Sequence, residues 1–417
     1  MIKKPAACSL VAGIALTLTL ALSPSATAAD AADAVSTSVS SSTSAPSTQS
    51  TIDALLSESG YSADLEAKIR AAAARLPSDW ESRLATQSKR FGLADTTWYA
   101  QAQSAINAGD YQCGRTPVQD WLSAQMNGVN GFRMLLLSVM GGDQIPTYDA
   151  LVFGRESKAN YFGADGSYTT ELNREMTGLK RFWDFDGSDV QLIPMHGDAY
   201  RDLDRITRVY VEVFGLDAQS ARANAEVVQA IVLNEPALRG GDSPYFTFNA
   251  FAFSPEPADI EQYGLTKRII VGDGVLEGMR GIGLQDKAAP LGVLAHEYGH
   301  QVQFAKNLFE SPLTGPEATR RTELMADAFG TYYLVHARGS ALNSQRTLDV
   351  EASFYNVGDC NFGMDSHHGT PNQRLKSAQF AASIVDGAQD QGHKLPALEF
   401  DAAFETALPE IVAPDNE

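Results

Sequence analysis

Two histidines four residues apart flank a glutamate in His296-Glu297-Tyr298-Gly299-His300. On a helix, residues i and i+4 lie one above the other, so both imidazoles can reach a single metal ion. Glu297 sits about 100° further round the helix, beside such an ion rather than on it. There a carboxylate can take a proton from metal-bound water. The chain holds only seven histidines, and Leu291, Val293, Leu294 and Ala295 ahead of the pair predict a buried helix over about 288–307. Imidazoles buried beside a carboxylate need a partner. One Zn2+ per chain is the expected one, since zinc takes N and O ligands and catalytic sites keep a fourth position open.

Such a site needs a third protein ligand. A metzincin would place glycine at 303 and histidine at 306, where this chain has Gln303 and Lys306, so that subclass is excluded. Downstream, Thr322-Glu323-Leu-Met-Ala-Asp327 offers two carboxylates one turn apart on a second helix predicted over 319–337. One of them could bind the metal while the other fixes a histidine ring through its free N–H. Leu324, Met325, Ala328 and Phe329 make their surroundings apolar.

The elements that must position these residues follow from hydrophobic period. The spacing of Leu55, Leu56, Leu65, Ile69, Leu76 and Trp80 predicts helices through residues 52–126. Strands are expected over 148–153, 190–195, 245–253 and 268–272. Helices are expected over 169–185, 200–214, 220–233 (with Ser220 as N-cap) and 372–385. The predicted class is α+β: a catalytic domain of a small sheet plus helices over 146–395, preceded by a mainly helical region over 52–145 and followed by a tail over 396–417. Ahead of these, Lys3, Lys4, the apolar run 10–22 and Ala26-x-Ala28 read as a signal peptide over 1–28. A Ser/Thr/Ala-rich tether is expected over 29–51.

Three further stretches accompany the histidine motif: Asn249-Ala-Phe-Ala-Phe253, Arg268-Ile-Ile-Val-Gly-Asp-Gly-Val-Leu276 and Asp365-Ser-His-His-Gly-Thr-Pro-Asn-Gln-Arg374. Taken with HExxH and ExxxD, they resemble the gluzincin metallopeptidases. The first is similar to the edge strand along which gluzincins pair an extended peptide. The second resembles the segment preceding HExxH in membrane heat-shock and CAAX-type prenyl-protein proteases, and the third the terminal "HGT…QR" segment of neutral zinc metallopeptidases. The resemblance covers roughly 244–385 and implies a zincin-like fold and peptide-bond hydrolysis with Glu297 as general base. It further implies substrate contact along Asn249, Ala250, Phe251 and Ala252, and a hydrogen bond from His368 to the oxyanion. The region 52–241 resembles no known family, and the transmembrane helices of the membrane proteases are missing.

Four acids follow the motif within reach. Glu310 and Glu317 flank Ser311-Pro312 and Gly315-Pro316, which is turn chemistry, whereas Glu323 and Asp327 share a helix. The longer glutamate reaches across an interhelical gap of roughly 8–10 Å, so His296, His300 and Glu323 are the expected ligands and Asp327 the residue behind them. Arg374 is expected to pair with a buried carboxylate, and Tyr298, Tyr332 and Tyr333 to lie in the core; His196, His336 and His393 receive no role. An aminopeptidase of this clan would carry a G-x-M-E-N segment, and none occurs.

Composition and the signal segment predict an exported, soluble protein; peptide or protein substrates are what the resemblance implies. The chain has 417 residues, 32 Lys plus Arg against 51 Asp plus Glu, and a net charge of −19, which disfavours nucleic acid and anionic membrane surfaces as partners. A secreted or periplasmic location is expected, without stable membrane insertion. Once the signal is removed, Cys113 and Cys360 are the remaining cysteines, and an oxidising compartment would permit their pairing. The alternative function is an exported zinc-binding surface or scaffold protein with a structural or lapsed site.

Overall fold

Side-chain caps set where the N-terminal helices begin. A computed structural model describes residues 47–91, 93, 111–284, 288–359, 367–388, 390 and 392–415. Ser47 accepts from the Ser50 N–H and starts α1, Thr48–Ser59; Ser62 does the same for α2, Ala63–Ala73. The last four residues of the expected tether, 48–51, are therefore the first turn of a helix. The signal peptide and the rest of that tether lie outside the described residues, as does Cys360. Helix α3 is Trp80–Arg90. Thr116 and Gln119 form a reciprocal capping box at α4, Pro117–Gln125, and Asn130 caps α5, Gly131–Val139.

Residues 148–153, expected as a strand, are helical. Helix α6, Ile145–Tyr148, runs into a π turn over Asp149–Phe153. A local reading of Leu-Val-Phe favours a strand, but tertiary partners decide otherwise. Arg205 and Arg208 bind the Asp149 carboxylate at the start of this turn. Arg155 and Arg268 donate to the carbonyls of Val152, Leu151 and Gly154 at its end. Helix α7 is Thr169–Phe182, followed by β1, Gln191–Met195.

The helix expected over 200–214 is three pieces: a 3-10 turn Gly197–Arg201, α8 over Leu203–Arg208, and a π turn Val209–Val213. Helix α9, Ala218–Asn234, is capped by Asp217 rather than Ser220, because the Asp217 carboxylate accepts from both the Gln219 and Ser220 N–H groups. Of the strand expected over 245–253, Pro244–Thr247 is a 3-10 turn and only Ala250–Phe253 forms β2. Helix α10, Pro257–Tyr263, leads to β3, Arg268–Gly272, and α11, Asp273–Gly281. Five helices complete the chain: α12, Ala288–Lys306; α13, Pro316–Val335; α14, Ser344–Asn356; α15, Pro371–Asp386; and α16, Ala397–Ile411. The segment expected as a tail is thus largely helix, and it buries Phe400 and Phe404 completely.

The protein is α+β and mostly helical, with a three-stranded sheet in the order β1-β3-β2. Strands β1 and β3 are parallel; β2 pairs antiparallel with β3 in the register Ala250↔Val271, Ala252↔Ile269. Successive side chains leave a strand on opposite faces, and this sheet buries both. Leu192, Ala250, Ala252, Ile269 and Val271 join one apolar cluster with α12, α13, α15 and α16. Ile193, Met195, Phe251, Phe253 and Ile270 join a second with α1, α2, α5 and α9. That second cluster runs across position 145 without a break, since Ile52, Leu55 and Leu136 share it with Tyr148 and Val209. Each such side chain contributes about 1.5–3 kcal/mol of burial. Among the described residues, no helix is long and apolar enough to cross a membrane.

Candidate metal centre

Helix α12 is buried on every side from Ala288 to Gln303, and α13 lies against it along two glycines. A Cβ on Gly299 would stand 2.8 Å from the Ala326 carbonyl oxygen, and one on Gly330 would stand 2.8 Å from the His296 amide nitrogen. Both close approaches are to main chain, so the helices can meet this tightly only because these residues lack side chains. Gly330→Ala adds up to about 1 kcal/mol of helix propensity, but rigid main chain cannot give way. Overpacking of about 1–3 kcal/mol wins. The variant is expected to melt earlier and to bind metal more weakly, read by thermal unfolding and metal content.

This packing brings Glu323 to the histidine pair. The rings of His296 and His300 stand nearly perpendicular, with centroids 4.7 Å apart, and their Nε2 atoms are separated by 3.1 Å. One Glu323 oxygen lies 3.4 Å from His296 Nε2 and the other 3.4 Å from His300 Nε2. A tetrahedron with metal–ligand bonds of about 2.0–2.1 Å has edges of about 3.3–3.4 Å, so these separations fit a small cation. Glu297 also offers an oxygen, in a group spanning 4.8 Å with the two histidines. Glu323 is the nearer and more symmetric third donor. A buried group capable of holding a metal ion is therefore present.

Each ring is held from behind. Asp327 Oδ1 lies 2.7 Å from His296 Nδ1, and Arg374 grips the same carboxylate with two hydrogen bonds of 2.7 and 2.6 Å. Arg374 is thus the buried ion-pair partner expected for it. Gln303 Oε1 lies 2.8 Å from His300 Nδ1. The two rings are driven in opposite directions. Burial lowers His296, but Asp327, then Glu323 and Glu297, outweigh it and push it up to about 9. Burial and the His296 charge push His300 down to about 4, against the pull of Glu323. Burial alone would raise Glu323, yet His300, His296 and His368 hold it well below the usual carboxylate range. The cluster shares a proton that a bound cation would displace.

Both carboxylate oxygens of Glu297 are buried, and no side chain hydrogen-bonds to either. Burial, reinforced by Glu323, pushes its pKa up to about 8 against the opposing pull of His296, Arg374 and the Ala252 N–H. Beside it lies a cavity of about 30 Å³ lined by Asn249, Ala250, Val293, Phe354 and Val357 among others, room for about one water molecule. Glu297 is placed to accept a proton from a molecule in that cavity.

The edge strand expected to meet a substrate is only partly so placed. Strand β2 is an edge strand, Ala250 and Asn249 line the cavity, and Asn249 Oδ1 has no partner. Phe251 faces the opposite cluster, so its side chain points away from the centre. All four β2 residues are buried, with Ser353 and Phe354 of α14 across the cavity. His368 is buried too; its Nδ1 lies 2.6 Å from Asp359 Oδ2, and His367 Nδ1 lies 2.6 Å from the other oxygen. Burial lowers His368, but Asp359 and Glu323 raise it, which puts His368 within electrostatic reach of the metal ligands. Asp359 and Gln303 are the site residues that sequence reasoning missed. Gln303 lies one turn beyond the second histidine, but its role depends on the Thr322 carbonyl of another helix, and Asp359 lies in no recognisable pattern.

No protein family, curated protein or solved structure matches this chain.

Proposed function

We propose that this chain is an exported zinc peptidase of gluzincin type, with a zincin-like catalytic core. The observation carrying this reading is Glu297: a buried carboxylate to which no side chain hydrogen-bonds, beside two histidines that converge with Glu323. A structural metal site has no use for such a group. His296, His300 and Glu323 would hold the ion, which when bound would polarise a carbonyl and acidify a water. Glu297 takes that water's proton and returns it to the leaving amine. Asp327 and Gln303 hold the histidine rings, and the main chain of Asn249–Ala252 lines up an extended peptide. His368 donates to the oxyanion.

The second reading, an exported zinc-binding scaffold protein, is favoured by one observation. The four central side chains are at most 2% exposed, so a peptide reaches them only if the segments around the cavity yield. Hydrolysis of an unstructured protein, with chelator and then with zinc restored, separates the two. The peptidase reading expects cleavage that chelator abolishes and zinc returns. Bound zinc without cleavage at any enzyme concentration leaves the scaffold reading.

A further inference from the structure

We infer that Gln303 is a positioning residue that locks His300 in the one tautomer able to bind a metal and ties that ligand to the turn carrying Glu323. The inference rests on the metal-centre reading above. Gln303 is completely buried. Its Nε2 donates to the Thr322 main-chain carbonyl at 2.7 Å, and its Oε1 lies 2.8 Å from His300 Nδ1.

Hydrogen-bond polarity fixes the rest. A peptide carbonyl only accepts, so the amide NH2 of Gln303 must face Thr322 and its oxygen must face His300. That oxygen only accepts as well, so His300 Nδ1 must carry the proton. A neutral imidazole has one N–H, so Nε2 is left bare, aimed at Glu323 and at His296 Nε2. Thr322 precedes Glu323 on α13, so a single side chain orients the second ligand and anchors the helix of the third.

An amide orients the ring without adding charge to a core that already holds the carboxyl groups of Glu297, Glu323 and Asp327.

The test uses the full chain labelled with ¹⁵N-histidine and freed of metal. Long-range ¹H–¹⁵N correlation reads the His300 tautomer, and competition with a chromogenic chelator reads zinc affinity. Wild-type protein is expected to show only the Nδ1–H form at His300; an Nε2–H form overturns the proposal without any variant. Gln303→Met, of similar length but without the hydrogen bonds, should show both tautomers and bind zinc about 10–100-fold more weakly. Gln303→Glu keeps an acceptor toward His300 but sets an oxygen against the Thr322 carbonyl, so it should restore the Nδ1–H form without restoring full affinity. Wild-type affinity in Gln303→Met, or both tautomers persisting in Gln303→Glu, overturns the role. Failure of wild-type protein to bind zinc would overturn the metal-centre reading instead, and the tautomer measurement would still decide what Gln303 does.

Discussion

Glu297→Gln is expected to keep the fold and the bound zinc and to lose about 10²–10⁴-fold in peptide turnover, the usual contribution of a general base. The exchange of oxygen for NH2 changes no volume and removes only basicity and charge. Because no side chain hydrogen-bonds to either carboxylate oxygen, no side-chain hydrogen bond is broken by the change. The charge removed is one that burial already disfavours, so stability should hold or rise. Metal analysis, thermal unfolding and turnover on one preparation check the three statements together. Near-normal turnover in a zinc-replete variant would remove Glu297 from the chemistry.

Substituting the two α13 carboxylates should give opposite rankings in two measurements. Glu323→Ala deletes a ligand and should abolish stoichiometric zinc. Asp327→Ala leaves all three ligands and should weaken zinc by about 10–100-fold, as loss of a group behind a ligand histidine does. In chelated protein the order reverses. Asp327 neutralises Arg374, which is 1% exposed, and an unpaired charge in such a place costs about 3–5 kcal/mol. Glu323 faces His296 instead, and an imidazolium, unlike a guanidinium, can give up its proton. Denaturant unfolding of the metal-free variants checks this, and an Asp327→Ala protein as stable as wild type would refute the ion pair's structural weight.

The part of the site readable in advance was the part encoded by spacing along one helix. His296 and His300 at i and i+4, and Glu323 and Asp327 one turn apart, stand on α12 and α13 as their spacing requires. Arg374 reads as the partner of a buried carboxylate, but which one, Asp327, only the packing of α15 on α13 decides. Gln303 was not readable, since its meaning depends on the Thr322 carbonyl of another helix. Asp359 gathers His367 and His368 from eight and nine residues further along the chain, a pairing that no periodicity reveals. Among the elements, residues 148–153 misled because Arg205, Arg208 and Arg268 from distant segments, with Arg155 beside it, hold both ends of their π turn. Helix α16 was legible after all: Phe400, Phe404, Leu408 and Ile411 keep a helical period, though Pro409 interrupts it near its end.

The sheet that stands between two apolar clusters has a consequence for how this molecule can be divided. Ile269 and Val271 of β3 face one cluster while Ile270 between them faces the other. A strand used as a party wall cannot lose the rooms on one side and stay dry. Stripping away the residues ahead of 145 would remove Phe91, which packs against Phe253 of β2 and against Tyr148, and would open the cluster that Ile193, Phe251 and Ile270 share. Losing even four such side chains to solvent forfeits about 6–12 kcal/mol, comparable to the whole stability of an ordinary domain. The helices ahead of residue 145 therefore share an apolar cluster with the sheet, and a single thermal transition for the whole chain is the expected result.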